Sequence, residues 1–449
     1  MPVHFQDFFL ASPEARLQIE GVANHIPVAS MRIIADLHLH SKYSRATSTD
    51  MEVDTLAKLG KIKGINLIGT GDFTHPSYFH ELKSKLEPTG RGLFKLKDKS
   101  SEVHFMLSVE VSNVYSQGEK LRKIHTILFA PTFEIAEQLN LKLFKIGKLT
   151  SDGRPTFGAT VKDIAKIVYD TSTDCILVPA HAWTPWFSIF GSNSGFDSIP
   201  EAFGEYSKHI FAIETGLSSD PPMNWRVSAL DKVTLISNSD AHSAPKLGRE
   251  ANVFDCEMDY FKIWEAVRKK DKTKFLYTIE FFPEEGKYHF DGHRKCNVSF
   301  KPSETNKAKS ICPVCGRGVT VGVLNRVEEL ADRPEGFVLP EAIPYKNLIP
   351  LAEIIGEALG QSPDTKGVEK EYLRLVQDYG SEFNALLEVP IAELEKSAPP
   401  KVAEGIKLVR EGKVKIEPGY DGVYGKISLF GEQKKAVAVQ EEGQLRLFG

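Results

Sequence analysis

The stretch RIIADLHLHS, residues 32–41, decides how the rest of the chain is read. An apolar, β-branched run from Arg32 to Leu37 ends in two histidines, His38 and His40, separated by one residue. Such a run reads as a buried strand, and imidazoles at its end are of the type that binds a metal. Six further runs share this form: Asn66 to Thr70, His104 to Val111, Ile124 to Ala130, Cys175 to Pro179, Ile210 to Thr215 and Thr234 to Asn238. Stretches with helical spacing, such as Val53 to Lys63 and Val161 to Tyr169, separate most of them. This alternation predicts parallel β/α units. Seven units predict an α/β fold closed or nearly closed into a barrel, with its chemistry at the C-terminal ends of the strands.

Ligand-type residues gather at those ends. After His38 and His40 come Asp72 and His75 in GTGDFTHP, Glu110 in SVEVSN, His125 in KIHTILF, His181 in VPAHAW, and Asp240 with His242 in SNSDAHS. Only His125 falls early in its run. A lone histidine usually satisfies a core hydrogen bond, and His80, His104 and His209 are read that way. Nine ligand-type residues at strand ends reverse those odds. Imidazole nitrogen with carboxylate oxygen suits zinc, manganese or iron, and a carboxylate among histidines can bridge two ions. Glu214, ending the sixth run, is placed to orient a histidine.

A second constellation is His293-x2-Cys296, then fifteen residues, then Cys312-Pro-Val-Cys315. Two knuckles so spaced predict a structural zinc ribbon, with His289 the weaker candidate for the fourth ligand. The rival is a redox-active CxxC, which has no use for the first knuckle. Cys175 and Cys256 read as buried apolar side chains. Helical spacing returns at Leu348, Leu351, Ile355 and Leu359, at Val368, Tyr372, Leu375, Val376, Tyr379 and Phe383, and over Val402 to Arg410, whereas KIEPGYDGVYG reads as turns. The expected division is an N-terminal extension at 1–30, a catalytic barrel at 31–286, a zinc-binding module at 287–335, a small helical domain at 336–430 and a tail at 431–449. Met31 is the alternative start.

With 449 residues and a formal charge of −4, the chain has no global attraction for a polyanion. Local patches supply it: Lys83 to Lys99, Lys262 to Lys274 and Lys287 to Lys309 each carry six Lys/Arg against two acids. Ordinary solvated surface is the competing reading of each patch. Five cysteines in no regular ladder exclude a secreted disulfide framework and imply a reducing compartment. No apolar span of about 18 residues and no leader pattern occurs, so a cytoplasmic, nucleoid-associated protein without membrane contact is expected. The loop AWTPWFSIFGSNSGFDS places Trp183, Trp186, Phe187, Phe190 and Phe196 after His181. Two readings stand: aromatics that stack on a base, or a hydrophobic lid. The terminal QLRLF resembles a sliding-clamp-binding tail, against the reading of a plain flexible end.

The metal residues, in this order, resemble the PHP superfamily over residues 31 to about 290. That resemblance implies a distorted seven-unit β/α barrel with up to three metals. It assigns His38, His40, Glu110, His125, His181 and Asp240 to a pair of ions and leaves Asp72, His75 and His242 to a third. Two departures bear on the third site: SKYSR puts Arg45 where many relatives carry a ligand, and GDFTH offsets His75 from Asp72. Arg45 is then a candidate to hold a substrate phosphate. The wider order of barrel, GHRKC…CPVCGRG, PYKNLIPLAEIIGEALG and PGYDGVYG resembles the endonuclease Q family of DNA-repair nucleases. It implies incision 5′ of uracil, hypoxanthine, xanthine or an abasic site, with Asp240, His242, Glu110 and Arg45 in the catalytic site. Zinc is expected in the ribbon and in the barrel, with magnesium or manganese as the alternative catalytic ion. The competing functions are a PHP-type phosphomonoesterase acting on a small metabolite and a non-catalytic, clamp-associated repair factor.

Overall fold

The computed structural model describes residues 32–430. The extension 1–30, Met31 and the QLRLF tail lie outside them. The opening run forms β1 (Ile33–Asp36), followed by β2 (Leu67–Gly69), the short β3 (Leu86–Pro88) and β4 (Phe94–Leu96), and a long hairpin of β5 (His104–Gln117) and β6 (Lys120–Ala130). Then come β7 (Thr156–Phe157), β8 (Ile176–Pro179), β9 (Ala212–Glu214), β10 (Thr234–Ile236), β11 (Ala251–Phe254) and β12 (Phe275–Glu280).

Ladders run in the order β8, β6, β5, β2, β1, β11, β12. β9 and β10 form a separate parallel pair. Single hydrogen bonds continue the order across two seams. At one, Ala182 N–H donates to Glu214 O at 2.9 Å; at the other, His40 N–H donates to Ala241 O at 2.9 Å and Leu37 N–H to Asn238 Oδ1 at 2.9 Å. The bonds therefore lead from β1 through six further strands, β2, β5, β6, β8, β9 and β10, and back to β1.

The expectation of uniformly parallel units needs correction. β6 runs antiparallel to both β5 and β8, and β11 runs antiparallel to β1. The runs at 104–111 and 124–130 are the apolar, buried halves of one hairpin, whose outer halves are more polar and become exposed only at the tip, Ser116 to Leu121. Gly118 (φ 57°) and Glu119 (φ 61°) make its two-residue turn, and two successive positive φ values match the right-handed twist of the strands. The reversal also explains His125. In an antiparallel strand an early residue reaches the end at which the parallel strands finish, and Ala180 N–H, just after β8, donates to His125 O at 3.1 Å.

Helices cover the sheet as their spacing requires. Val161–Tyr169 starts in a capping box between Thr160 and Asp163 and buries Val161, Ile164, Ala165 and Val168, an i, i+3, i+4, i+7 stripe. Each large side chain so buried contributes about 1.5–3 kcal/mol.

Behind the sheet, β13 (Asp291–His293) and β14 (Val298–Phe300) form a small hairpin, organised by the buried Asp291 carboxylate, which accepts from Thr305 Oγ1, Asn325 Nδ2 and Gly322 N–H. The helices Leu351–Leu359, Lys366–Tyr379, Ile391–Ser397 and Pro400–Arg410 follow. They are not independent of the sheet, because β15 (Tyr345–Asn347) pairs in parallel with β12. The turn-rich PGYDGVYG is framed by a hairpin, β16 (Lys415–Glu417) and β17 (Lys426–Ser428). It docks on residues 284–290, with Gly419 N–H donating to Glu284 O at 2.8 Å and Phe290 N–H to Gly419 O at 2.9 Å. Among the described residues no helix is long and apolar enough to cross a membrane.

Several carboxyls are buried in this framework. Burial pushes Asp36 up to about 6, Asp220 to about 7 and Glu280 to about 8. A carboxyl raised in the folded state contributes stability that is complete below its unfolded pKa and is lost as pH rises through the folded value. The urea midpoint should therefore fall between pH 5 and pH 8.5, and Glu280→Gln should flatten that slope. A steeper slope in the variant would contradict this reading.

Candidate metal centre

The HxH motif sets the centre because residues one apart in extended backbone share a side, so His38 and His40 enter together. Both are buried. Glu110 reaches them from the middle of β5, His125 from the facing β6, His181 from the end of β8, and Asp240 from the segment after β10. Asp72 (φ 46°), His181 (φ 30°) and Asp240 (φ 47°) all take left-handed backbone, an uncommon conformation for residues with a Cβ and one concentrated at functional sites.

Glu110 stands between two donor sets. Its Oε1 lies 2.7 Å from His125 Nδ1 and 2.9 Å from His181 Nε2, while Oε2 lies 3.2 Å from His40 Nε2. On the second side, Asp240 Oδ1 is 3.2 Å from His40 Nε2 and 3.7 Å from His38 Nε2. The ligand atoms of His38, His40, Glu110 and Asp240 lie within 4.8 Å of one another, as do those of Glu110, His125 and His181.

The residues fit metal ions. His38 Nε2, His40 Nε2 and Asp240 Oδ1 are buried without a hydrogen-bond partner, and buried polar atoms are left unpaired only where something else satisfies them. Their opposite atoms are fixed from behind. Both oxygens of Glu214 lie 3.0 Å from His38 Nδ1, which turns Nε2 toward the centre. Thr184 Oγ1 lies 3.1 Å from His181 Nδ1.

The electrostatics ask for cations. Burial alone would strip His38 and His40 of protons, but Glu214 and Glu110 beside the first, and Asp240 and Asp72 beside the second, outweigh it and hold both imidazoles well above their ordinary range. Glu110 is held far below the carboxylate range, against burial, by the charges of His125 and Arg154. Burial dominates at His125 and lowers it to about 4. Metal binding replaces such protons.

Three residues expected at a third ion are not gathered. Asp72 stands behind His40, its Oδ1 3.3 Å from His40 Nδ1 and its Oδ2 accepting from Ser41 N–H at 2.7 Å, Ser41 Oγ at 2.6 Å and Ser44 Oγ at 2.8 Å. It is saturated as a positioning carboxylate. His75 stacks on Tyr43, with ring centroids 4.5 Å apart. His242 sits at the mouth, its ring 4.3 Å from that of His40 and its Nδ1 3.0 Å from Asp240 O. Among the described residues, no third group of ligand atoms includes these three.

Arg45 points away. A turn closed by Ser44 N–H to Ser41 O turns Ser44 inward, and the Arg45 side chain, 74 % exposed, pairs with Asp152 at 3.4 Å. The guanidinium at the centre is Arg154, whose Nη1 donates to Glu110 Oε2 at 3.0 Å. No sequence signal marked it beyond its place after the turn dipeptide Asp152-Gly153, since a lone arginine in a loop has no period.

The second constellation also comes together. His293, Cys296, Cys312 and Cys315 form a four-donor group, with His293 Nδ1 3.5 Å from Cys315 Sγ. All five cysteines are free thiols, and His289 lies outside the group. Four convergent donors are the arrangement of a closed structural metal site and have no role in a CxxC redox pair. The aromatic loop divides between its two readings. Trp183, Phe190 and Phe196 are buried, while Trp186 is exposed with Lys123 Nζ 4.9 Å from its ring centroid. Arg326 pins this loop from the module behind, donating to Phe190 O at 3.0 Å and Phe196 O at 3.1 Å.

The family model named MJ0043 C-terminal domain matches residues 350–413. The chain is 39 % identical over 264 residues to uncharacterised protein MJ0043 of Methanocaldococcus jannaschii, a match covering 56 % of this chain and 31 % of that one, so it spans about a third of that relative's length. The crystal structure of the lesion-specific endonuclease PfuEndoQ from Pyrococcus furiosus superposes with a TM-score of 0.80 at 31 % identity, covering 90 % of this chain and 98 % of the other. Endonuclease Q in complex with a 27-mer duplex bearing an abasic lesion at the active site gives 0.77 at 32 % identity, covering 89 % and 97 %.

Removing the knuckle thiols tests the four-donor group. Cys312→Ser combined with Cys315→Ser should lose one equivalent of bound metal by elemental analysis and lower the melting temperature by about 5 °C or more. Unchanged metal content and melting temperature would argue against it.

Proposed function

The chain belongs to the endonuclease Q family, and from that premise we propose that it is a metal-dependent DNA-repair endonuclease that incises the phosphodiester 5′ of a damaged nucleotide. Deaminated bases, namely uracil, hypoxanthine and xanthine, and abasic sites are the substrates proposed. The observation that carries the reading is Glu110, whose two oxygens face separate donor sets at 2.7–3.2 Å in a centre open at one side through Asp240 and His242. A shared carboxylate between paired sites is the arrangement of two-metal phosphoester hydrolysis. Ions held by His38, His40, Glu110 and Asp240 and by Glu110, His125 and His181 would supply an activated water near neutral pH and charge neutralisation at the leaving 3′ oxygen.

The chain's own residues do the rest. Asp240 O can only accept, so neutral His242 carries its proton on Nδ1 and leaves Nε2 as a base at the mouth. Burial and the neighbouring His40 keep its pKa below the ordinary value, which favours that neutral form. A base hidden in a duplex must be extruded at a cost of a few kcal/mol, which is least for a mispaired or missing base. Exposed Trp186 beside Lys123 offers a face for stacking at that step. The products are a 3′-hydroxyl and a 5′-phosphate. We read the seven-strand ring as the distorted PHP barrel over residues 31–286, with a zinc module at 287–335 and a helical domain at 336–430 that grip the duplex through Lys287 to Lys309. Zinc is the ion proposed for the three-cysteine, one-histidine site, on the softness of thiolate ligands.

The test uses end-labelled duplexes carrying one uracil, hypoxanthine or abasic site, with manganese or magnesium, beside p-nitrophenyl phosphate. Nicking 5′ of the lesion is expected, and activity confined to the monoester would overturn the reading in favour of a phosphomonoesterase. His40→Ala and Asp240→Ala should each slow nicking about a thousandfold while keeping DNA affinity, since metal stabilisation is worth several kcal/mol at about 1.4 kcal/mol per tenfold. Retained cleavage by either variant would defeat the metal assignment.

A further inference from the structure

We propose that Arg154 is a catalytic residue that touches substrate, the free edge of its guanidinium receiving a non-bridging oxygen of the phosphate under attack. The proposal rests on reading the centre as one that cleaves phosphodiesters. Arg154 Nη1 donates to Glu110 Oε2 at 3.0 Å, and that same oxygen lies 3.2 Å from His40 Nε2, so the guanidinium borders the centre itself. The side chain is 27 % exposed, so part of it remains accessible to solvent.

Other arginines show what a structural role looks like in this fold. Arg410 spends its donors on three carbonyls, those of Leu386, Val389 and Ala385, at 2.7–2.9 Å. Arg326 is saturated in the same way by two carbonyls and by carboxylates. Arg154 has five N–H donors and, among the described residues, engages one of them, at Glu110. A planar fork with a free edge beside a phosphoester centre matches two phosphate oxygens.

The loop that carries Arg154 is built for placement. Gly153 N–H donates to Tyr43 O at 2.9 Å, and Asp152 Oδ1 accepts from Arg154 N–H at 3.1 Å and from Arg45 N–H at 3.3 Å. A Cβ on Gly153 would collide with Asp72 Oδ2 and Ser44 Oγ, so only glycine lets the loop lie this close to the positioning carboxylate of His40. Charge completes the argument. If Glu110 holds two divalent ions, the Arg154 guanidinium on the same carboxylate adds a further positive charge, and an anion in the mouth would balance all three. The substrate phosphate is that anion.

The experiment compares wild type, Arg154→Ala, Arg154→Lys and Arg45→Ala, all loaded with manganese. Single-turnover rates are measured on an abasic-site duplex and on bis(p-nitrophenyl) phosphate, with metal content and melting temperature read on the same samples. Arg154→Ala is expected to be about 100- to 1000-fold slower on both substrates, the effect of losing one preorganised donor to transition-state charge. Its metal content should be unchanged, Arg154→Lys should recover part of the rate, and millimolar guanidinium should rescue the alanine variant. A loss under about threefold, or a larger loss in Arg45→Ala, overturns the assignment. So does a loss that follows metal content and is not relieved by guanidinium, which would reduce Arg154 to a positioning residue for Glu110. Should Arg154→Ala fail to fold, Arg154→Lys decides: full metal with a wild-type rate overturns the fork, and full metal with a slowed rate supports it. Cleavage of the small diester without nicking of the duplex would sink the repair reading while leaving the Arg154 comparison intact.

Discussion

Glu110 is fully buried yet ionised, and a buried carboxylate is costly unless it is paired. Three imidazoles and one guanidinium surround it at 2.7–3.2 Å, each delivered by a different part of the chain. The architecture follows from that requirement. The β5–β6 hairpin puts Glu110, which pairs with Ile127, diagonal to His125, which pairs with Ser112; the segment after β8 brings His181 against both, and the segment after β1 presents His40 from the far side. Remove the carboxylate, and the Arg154 guanidinium and these imidazoles lose the acceptor they share.

Positioning extends outward in a second layer. Glu214 fixes His38, Asp72 fixes His40 and Thr184 meets His181, each at the ring nitrogen turned away from the centre. Left-handed backbone at Asp72, His181 and Asp240 is tolerated because that layer over-determines these residues. The loops 41–45 and 150–155 are joined through Tyr43, Asp152 and Gly153, so the guanidinium at the mouth is held as firmly as the ligands.

Much of this was legible in the amino-acid order, for reasons that can be named. His38 and His40 announce themselves because alternation in a strand puts them on one side, and Glu110, His181 and Asp240 because they interrupt or end apolar runs. Cys312 and Cys315 need only their spacing. The antiparallel hairpin was not legible, because the polar outer halves of β5 and β6 hid the turn at Gly118 and Glu119 and made two arms of one unit look like separate strands. Asp72 reads as a ligand by type, and only its saturation by Ser41 and Ser44 shows it to be a positioning group. Arg45 and Arg154 cannot be ranked from sequence, since the outcome depends on which way a single turn at Ser44 faces.

The aromatic loop after His181 is pinned by Arg326 of the segment that follows the Cys/His group, and the PGYDGVYG turn docks on residues 284–290. In the function proposed above, damage recognition and cleavage would be tied into one framework, with Glu110 the carboxylate that two ions would share. Electron paramagnetic resonance of the manganese-loaded protein reads that sharing. A spin-coupled pair is expected in the wild-type chain, replaced by an uncoupled six-line spectrum in Glu110→Gln together with loss of nicking. A six-line spectrum from a wild-type protein that fully nicks lesion duplexes would contradict it.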